Sequence, residues 1–227
     1  MFGLLFVLTA CGAVPQSGIA PRPAQSQTTL PSHSAGAIGT RSTSARLCIS
    51  DLGQAGARFS ALPDRHLAPG CHQLGTVQLD RLSGDDGSIA ITNIGPLACP
   101  IAQTFAGWTR FGVDRAARQH LGSGLARIET MGSYSCRNVA GTTRLSAHSR
   151  SEAIDVAAFV LEDGRRISVK HDWDDGTNAE RRFLRIVHQS ACKRFGTVLG
   201  PDYNTAHHDH FHFERSLQEG QGPAYCK

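Results

Sequence analysis

Seven cysteines constrain this chain of 227 residues more than any other feature of its sequence. Six of them are widely spaced and form no CxxC pair, which argues against a cysteine-rich zinc ribbon. These six are Cys48, Cys71, Cys99, Cys136, Cys192 and Cys226. An even number of such cysteines in an exported chain is typical of a disulfide framework, and three bridges allow fifteen connectivities. Buried free thiols in a cytosolic protein are the alternative, and the N-terminal segment argues against it.

The seventh cysteine, Cys11, follows a short apolar run that ends in small residues. The run is too short to cross a bilayer but is typical of an export signal. Residues 8–11, Leu-Thr-Ala-Cys, resemble a bacterial lipobox, whose cysteine becomes lipidated. No Lys or Arg precedes Cys11, so an ordinary signal with a chance cysteine is the alternative. We therefore expect a signal sequence over residues 1–10, a lipid on Cys11 as the only membrane contact, and a membrane-anchored lipoprotein in the periplasm.

Residues 12–45 contain no aromatic and no acidic side chain, and four of the ten prolines lie there. Such a segment cannot bury enough apolar surface to offset its ordering entropy. We expect residues 11–45 to be the lipidated N-terminus and a disordered tether, and residues 46–227 to form one folded domain. The whole chain is 40% apolar and has a net charge of +4 without a Lys/Arg run, so it is not disordered throughout and nucleic acid is not an expected partner.

The patterns within the folded part predict an α+β domain with a mainly antiparallel sheet and helices packed against it. Cys99-Pro100 opens a helix that extends to Leu121, and Gly112 bends or splits it. A second helix begins at the capping box Thr177–Glu180 and continues through Phe195. Strands are expected at 88–93, 125–131, 153–161 and 167–170, with a hairpin turn at Asp163-Gly164.

Four of the eleven histidines lie within residues 207–212. In a strand, His210 and His212 would share one face while Phe211 and Phe213 face the core. Two adjacent imidazoles on a partly buried face indicate a bound metal. A solvent-exposed histidine-rich loop is the alternative, and the interleaved phenylalanines argue against it.

Asp155 lies in the apolar run Ala153–Phe159, with His148 a short distance upstream. A carboxylate in such a run stays ionised only if a cation or several donors meet it. A histidine and an aspartate from this segment and a histidine from the downstream strand make a set of two nitrogens and one oxygen. That set leaves one tetrahedral position open for water, which is the arrangement of catalytic zinc.

These motifs resemble two related groups of proteins. The pattern Ser-x-His-x(6)-Asp followed by His-x-His is similar to that of the D-Ala-D-Ala carboxypeptidase, lysostaphin and hedgehog superfamily of zinc peptidases. More closely, the chain resembles the bacterial extensin-like C-terminal domain family over most of residues 48–214. The segments that match are GSYSCR at 132–137, RLSAH at 144–148, AIDV at 153–156, LGPDYN at 199–204 and HHDHFH at 207–212.

The resemblance implies a hedgehog/DD-peptidase-like fold and a role for each matching residue. It makes His148, Asp155 and His212 the zinc ligands and His210 the catalytic histidine. Arg137 would grip a substrate carboxylate or carbonyl, which suits a planar guanidinium, although a structural ion pair is the alternative. Ser146 would hydrogen-bond the substrate, although an ordinary exposed loop serine is the alternative, and His207, Asp209 and Glu214 would orient the ligands.

The expected function is that of a zinc-dependent peptidase that cuts an amide in the peptide part of peptidoglycan. A non-catalytic zinc-containing lipoprotein that binds or scaffolds the cell wall is the alternative, because some members of the superfamily keep the metal and lose hydrolysis. A disulfide-stapled interaction domain without metal is the third hypothesis, and it leaves the histidine and aspartate placements unexplained.

Overall fold

The structure is a computed structural model that describes residues 42–215 and 225–227. The expected signal sequence, Cys11 and most of the expected tether lie outside the described residues. The first helix begins at Thr43, within the last residues of the segment expected to be a tether. Among the described residues, no helix is both long and apolar enough to cross a membrane.

Five α-helices and twelve strands make up the described part of the chain. The helices are α1 Thr43–Gln54, α2 Cys99–Trp108, α3 Arg115–Leu121, α4 Val169–Asp172 and α5 Asn178–Cys192. The strands are β1 Arg58–Ala61, β2 Arg65–Ala68, β3 Cys71–Gln73, β4 Thr76–Ser83, β5 Ser88–Thr92, β6 Leu97–Ala98, β7 Leu125–Gly132, β8 Ala153–Leu161, β9 Arg166–Ser168, β10 Thr197–Leu199, β11 Phe211–Glu214 and β12 Tyr225–Cys226. The α+β prediction is confirmed.

Ten strands form one mixed sheet in the order β1-β4-β5-β7-β8-β11-β10-β12, with β6 pairing to β4 and β9 to β8. The pairs β5/β7 and β10/β12 are parallel, and the other pairs in this sheet are antiparallel, so the sheet is mainly antiparallel as predicted. Strands β2 and β3 form a separate hairpin. Strand β8 lies between β7 and β11, in the middle of the large sheet.

An aromatic cluster fills the space between the sheet and the helices α2 and α5. Trp108 of α2 is fully buried and packs edge-on against Phe213 of β11, with the ring centroids 4.9 Å apart. Phe159 of β8 meets Phe183 of α5 at 5.3 Å. Because successive side chains of a strand point to opposite faces, His212, which lies between Phe211 and Phe213 in β11, is directed away from the helices.

The helix predicted from Cys99 to Leu121 is present, and it is divided around Gly112 as expected. Helix α2 is followed by a π-helical segment, Thr109–Asp114, which contains Gly112 and leads into α3. Gly122 ends α3 with φ 71°, a left-handed conformation that glycine adopts without steric strain.

Two other predicted boundaries differ from the structure. The Thr177–Glu180 capping box is confirmed, but α5 ends at Cys192 and not at Phe195. Phe195 is nevertheless buried, because the chain turns back onto the core after the helix. Its apolar side chain therefore continues the helical spacing of apolar residues in the sequence although it lies outside the helix. The strand expected over 167–170 ends at Ser168, and Val169 opens the short helix α4.

Six cysteines form three disulfides, which confirms the predicted framework. The pairs are Cys48–Cys99, Cys71–Cys136 and Cys192–Cys226. The first joins α1 to the start of α2, the second joins β3 to the loop after β7, and the third joins the end of α5 to β12. Each bridge therefore fixes a peripheral element to the body of the domain.

Candidate metal centre

Three predicted ligands meet on the face of the sheet that points away from α2 and α5. Asp155 of β8 and His212 of β11 are direct cross-strand partners in the antiparallel register. Directly opposed residues of neighbouring strands bring their side chains into contact. His148 reaches the same point from a short 3-10 helix, Ala147–Arg150, that precedes β8. His148 and His212 are buried, and the Asp155 side chain is 13% exposed.

The donor atoms of these three residues lie as close together as the ligands of one ion. His148 Nε2 is 3.2 Å from His212 Nδ1 and 3.2 Å from Asp155 Oδ2. His212 Nδ1 is 2.8 Å from Asp155 Oδ1. Ligand atoms of a tetrahedral zinc are roughly 3.3 Å apart when each bond is about 2.0–2.1 Å. The two imidazole nitrogens and the Asp155 carboxylate, each of whose oxygens lies near one of them, therefore have spacings close to those of three zinc ligands.

Hydrogen bonds behind the two imidazoles set which nitrogen faces the centre. His148 Nδ1 donates to the carbonyl oxygen of Ser133 at 2.9 Å, so in the neutral ring the Nε2 lone pair points inward. His212 Nε2 donates to Glu214 Oε1 at 3.1 Å, which leaves Nδ1 as the ligand atom. A carboxylate or carbonyl behind a ligating histidine fixes its tautomer and raises its basicity. Hydrogen-bond acceptors of this kind are expected behind histidines that bind a metal.

The electrostatics of the cluster also suit a cation. Burial alone would raise the pKa of Asp155, but its close contacts with the imidazoles of His148 and His212 hold it well below its usual range. Burial alone would lower the pKa of His212, but its hydrogen bonds with Asp155 and Glu214 raise it to about 9. Without a metal, the positive charge that balances Asp155 therefore lies on His212. A bound cation would take over that role.

His210 lies beside the three residues without replacing any of them. It immediately precedes β11, and its Nε2 is 3.6 Å from Asp155 Oδ1. Its Nδ1 donates to Asp209 Oδ1 at 2.8 Å, so the carboxylate holds the ring with Nε2 toward the centre. The ring is partly exposed and accessible to a ligand of the site.

His207 forms the outer edge of the cluster. Its ring centroid is 5.2 Å from that of His210 and 5.7 Å from that of His212. Burial, followed by the charges of His210 and His212, lowers the pKa of His207 to about 4. The imidazole is therefore neutral at pH 7, and its Nδ1 lies 2.7 Å from Asn204 Oδ1, to which it donates.

Arg137 and Ser146 belong to a hairpin-like loop whose two sides are joined by an isolated β-bridge between Asn138 and Leu145. The Arg137 side chain is exposed, and its guanidinium donates only a long hydrogen bond of 3.5 Å, to the Asn138 carbonyl. Its positive charge is one of the smaller contributions that lower the pKa of His207. The Ser146 side chain is buried, and its hydroxyl accepts the His148 N–H at 3.4 Å. A role of Ser146 toward a substrate stays a prediction.

Two contributors were not identified from the sequence. The main-chain carbonyl of Ser133 accepts the hydrogen bond from His148 Nδ1. Its hydroxyl donates to the carbonyls of Ile94 and Pro96, which holds the backbone at Ser133 in place. Asn204 caps the 3-10 helix Thr205–His207 and orients His207. The LGPDYN segment was the available signal for Asn204, whereas no side-chain pattern indicates a main-chain acceptor.

A family model described as "Extensin-like protein C-terminus" matches residues 46–227. Comparison with curated proteins returned no match, and comparison with solved structures returned none either. The family match includes every described residue of the centre and all six paired cysteines. The chain therefore belongs to the extensin-like protein C-terminus family.

Proposed function

We propose that the protein is a zinc-dependent peptidase that acts on the peptide part of peptidoglycan. The carrying observation is the convergence of His148 Nε2, Asp155 and His212 Nδ1 within 3.2 Å of one another, with His210 beside them. Two imidazoles and one carboxylate leave a fourth tetrahedral position open, as in catalytic zinc sites. The similarity of this pattern to the D-Ala-D-Ala carboxypeptidase, lysostaphin and hedgehog superfamily supports the same proposal and a related fold.

Zinc would supply a Lewis acid that polarises a carbonyl and lowers the pKa of water. The residues of the chain divide the remaining work. Asp209 holds His210 so that its Nε2 can take a proton at the centre and return it to a leaving amine. Glu214 and the Ser133 carbonyl hold the two ligating rings. Arg137 offers an exposed guanidinium to a carboxylate or carbonyl of the substrate.

The proposed location is the periplasm, where peptidoglycan lies. The lipobox-like sequence before Cys11 supports a lipid anchor, and the polar segment after it supports a tether to the wall. With such an anchor, the mature protein partitions into detergent and Cys11→Ser blocks its processing or releases it. A protein recovered without lipid and cut elsewhere than before Cys11 would show the lipobox to be a coincidence.

The decisive experiment incubates the zinc-loaded protein with purified peptidoglycan and identifies the released fragments by mass spectrometry. We expect fragments with a newly cut peptide amide, and none with Asp155→Ala or after chelation of the metal. The absence of new fragments from a protein that holds zinc would overturn the peptidase proposal. If that protein still co-sediments with peptidoglycan, the non-catalytic wall-binding alternative takes its place.

A further inference from the structure

Two exposed tyrosines, Tyr203 and Tyr225, lie against each other at the end of the sheet that carries the metal centre. Their side chains are 39% and 51% exposed, and their ring centroids are 6.1 Å apart at an interplanar angle of 89°. We call this pair the tyrosine shelf. Each tyrosine ring has a large apolar body with a polar tip, and most of the aromatic rings among the described residues are buried instead.

The backbone beneath the shelf is fixed, so the two rings are preorganised. Tyr225 belongs to β12, which pairs with β10, and the next residue, Cys226, is bonded to Cys192 of α5. The Tyr203 N–H donates to the Gly200 carbonyl at 3.0 Å, and the Gly200 N–H donates to the Lys227 carbonyl at 2.9 Å. A surface held in this way loses little conformational entropy when it binds a ligand.

A row of ring contacts leads from the shelf to the metal centre. The Tyr203 centroid is 5.5 Å from that of His207, which is in turn 5.7 Å from that of His212. Three such steps separate Tyr225 from a proposed zinc ligand. The shelf is therefore continuous with the proposed site and does not belong to a remote surface.

We propose that the tyrosine shelf binds a hexopyranose ring of the glycan strand to which the substrate peptide is attached. This inference rests on the proposed function. The C–H-bearing face of a pyranose packs on an aromatic face, and a phenol hydroxyl can bond a sugar hydroxyl. The exposed neighbours along the chain, Asp202, Asn204 and Thr205, are polar, which suits a sugar better than an acyl chain or an apolar peptide.

The span between shelf and centre fits the length of a stem peptide. Three or four extended residues cover roughly 10–14 Å. The two ring-to-ring steps from Tyr203 to His212, of 5.5 and 5.7 Å, fall within that span. A sugar on the shelf would thus place an amide three or four residues from the glycan strand at the metal centre. The proposal therefore names the distal part of the stem peptide as the reacting part.

The test measures binding of peptide-free glycan strands to the zinc-free protein by isothermal titration calorimetry. We expect Tyr203→Ala and Tyr225→Ala each to weaken binding by about 5- to 10-fold, as for the loss of one aromatic contact. Tyr203→Phe keeps the ring and should lose no more than about 3-fold. Phe111→Ala is the matched control, because Phe111 is 49% exposed on another part of the fold. It should bind as the unaltered protein does.

Equal binding by Tyr203→Ala and the unaltered protein, with both folded by circular dichroism, would overturn the proposal, as would no binding by the unaltered protein. Since the measurement needs neither metal nor hydrolysis, its result is separate from that of the peptidase assay. Glycan binding without peptide cleavage would support the sugar-binding role of the tyrosine shelf and contradict the peptidase proposal. If both alanine variants cleave peptidoglycan with an unchanged KM, the sugar-binding role of the shelf is contradicted and the peptidase proposal stands.

Discussion

His210 and His212 are two positions apart, yet their hydrogen-bond partners give them different chemistry. His212 is tied to Glu214 through Nε2 and faces Asp155 with Nδ1, whereas His210 is tied to Asp209 and reaches Asp155 only at 3.6 Å. The first arrangement suits a ligand that stays in place. The second suits a group that exchanges protons beside the metal. Substitutions should separate these roles.

We predict that His212→Ala lowers the zinc content steeply, as do His148→Ala and Asp155→Ala, because each removes one of three protein ligands. His210→Ala should keep about one zinc per chain while hydrolysis falls roughly 100-fold or more, through the loss of a general base or oxyanion donor. Elemental analysis beside activity on peptidoglycan decides the outcome. If His210→Ala loses zinc while His212→Ala keeps it, the two assignments are reversed.

Glu214 should matter through the ring that it holds. Glu214→Gln keeps an acceptor for His212 Nε2 but removes the negative charge, so we predict a loss of zinc affinity of about 10-fold, and closer to 100-fold for Glu214→Ala. Competition with a chromophoric chelator measures both affinities. Glu162→Gln, whose partner Arg118 lies elsewhere on the surface, is the control and should leave the affinity unchanged. An unchanged affinity in Glu214→Ala would show that the hydrogen bond has no role in metal binding.

At the scale of elements, the segment after α2 approaches α5 closely at one glycine, Gly112. Helix α2 passes into the π-helical segment Thr109–Asp114 where Gly112 meets α5. A Cβ at Gly112 would lie 2.5 Å from Ser190 Oγ and 3.0 Å from Trp108 Cδ1. Only glycine allows this contact without displacing a neighbour.

Gly112→Ala should therefore destabilise the protein by about 1–3 kcal/mol, the usual range for overpacking. Gly107 of α2 is the matched control, because a Cβ there would have no neighbour within 4 Å. Gly107→Ala should be neutral or stabilise by up to about 1 kcal/mol, since alanine favours the helix. Chemical denaturation measures both changes. A loss of stability in Gly107→Ala equal to that in Gly112→Ala would contradict the close-approach explanation.

The sequence predicted the elements that have a strong local signal and missed those that depend on distant contacts. The capping box at Thr177 and the apolar strand β8 are local patterns, and both are present. The sequence indicated a bend or split at Gly112, but no local period encodes the π-helical form of this segment or the close approach of Gly112 to Ser190. For the centre, side-chain chemistry in the sequence indicated a set of two histidines and one aspartate, and the family resemblance assigned it to His148, Asp155 and His212. The Ser133 carbonyl could not be identified in this way, because any residue has one.

At the scale of the whole molecule, the three disulfides close loops that together cover residues 48–136 and 192–226. They connect residues separated by 51, 65 and 34 positions in the sequence. A disulfide that closes a loop of this length lowers the entropy of the unfolded chain, which stabilises the folded protein by about 3–4 kcal/mol per bridge. The fold therefore has substantial support apart from any metal.

We predict that the protein purified from the cell envelope and denatured under non-reducing conditions has at most a trace of free thiol among these six cysteines. Titration with a thiol reagent measures the count, and the same titration after reduction gives the full number as the control. Two or more titratable thiols before reduction would contradict the three pairs.

The first two bridges are interleaved, since Cys71 lies between Cys48 and Cys99, and Cys99 lies between Cys71 and Cys136. A chain that enters an oxidising compartment from its N-terminus presents Cys48 and Cys71 together before either native partner arrives. An oxidant acting at that moment joins the wrong pair, and the error is corrected only by attack of a later thiolate on that bridge. In such a compartment, we therefore expect the yield of this protein to depend on a disulfide isomerase as well as an oxidase, and to report how well a cell repairs mispaired cysteines.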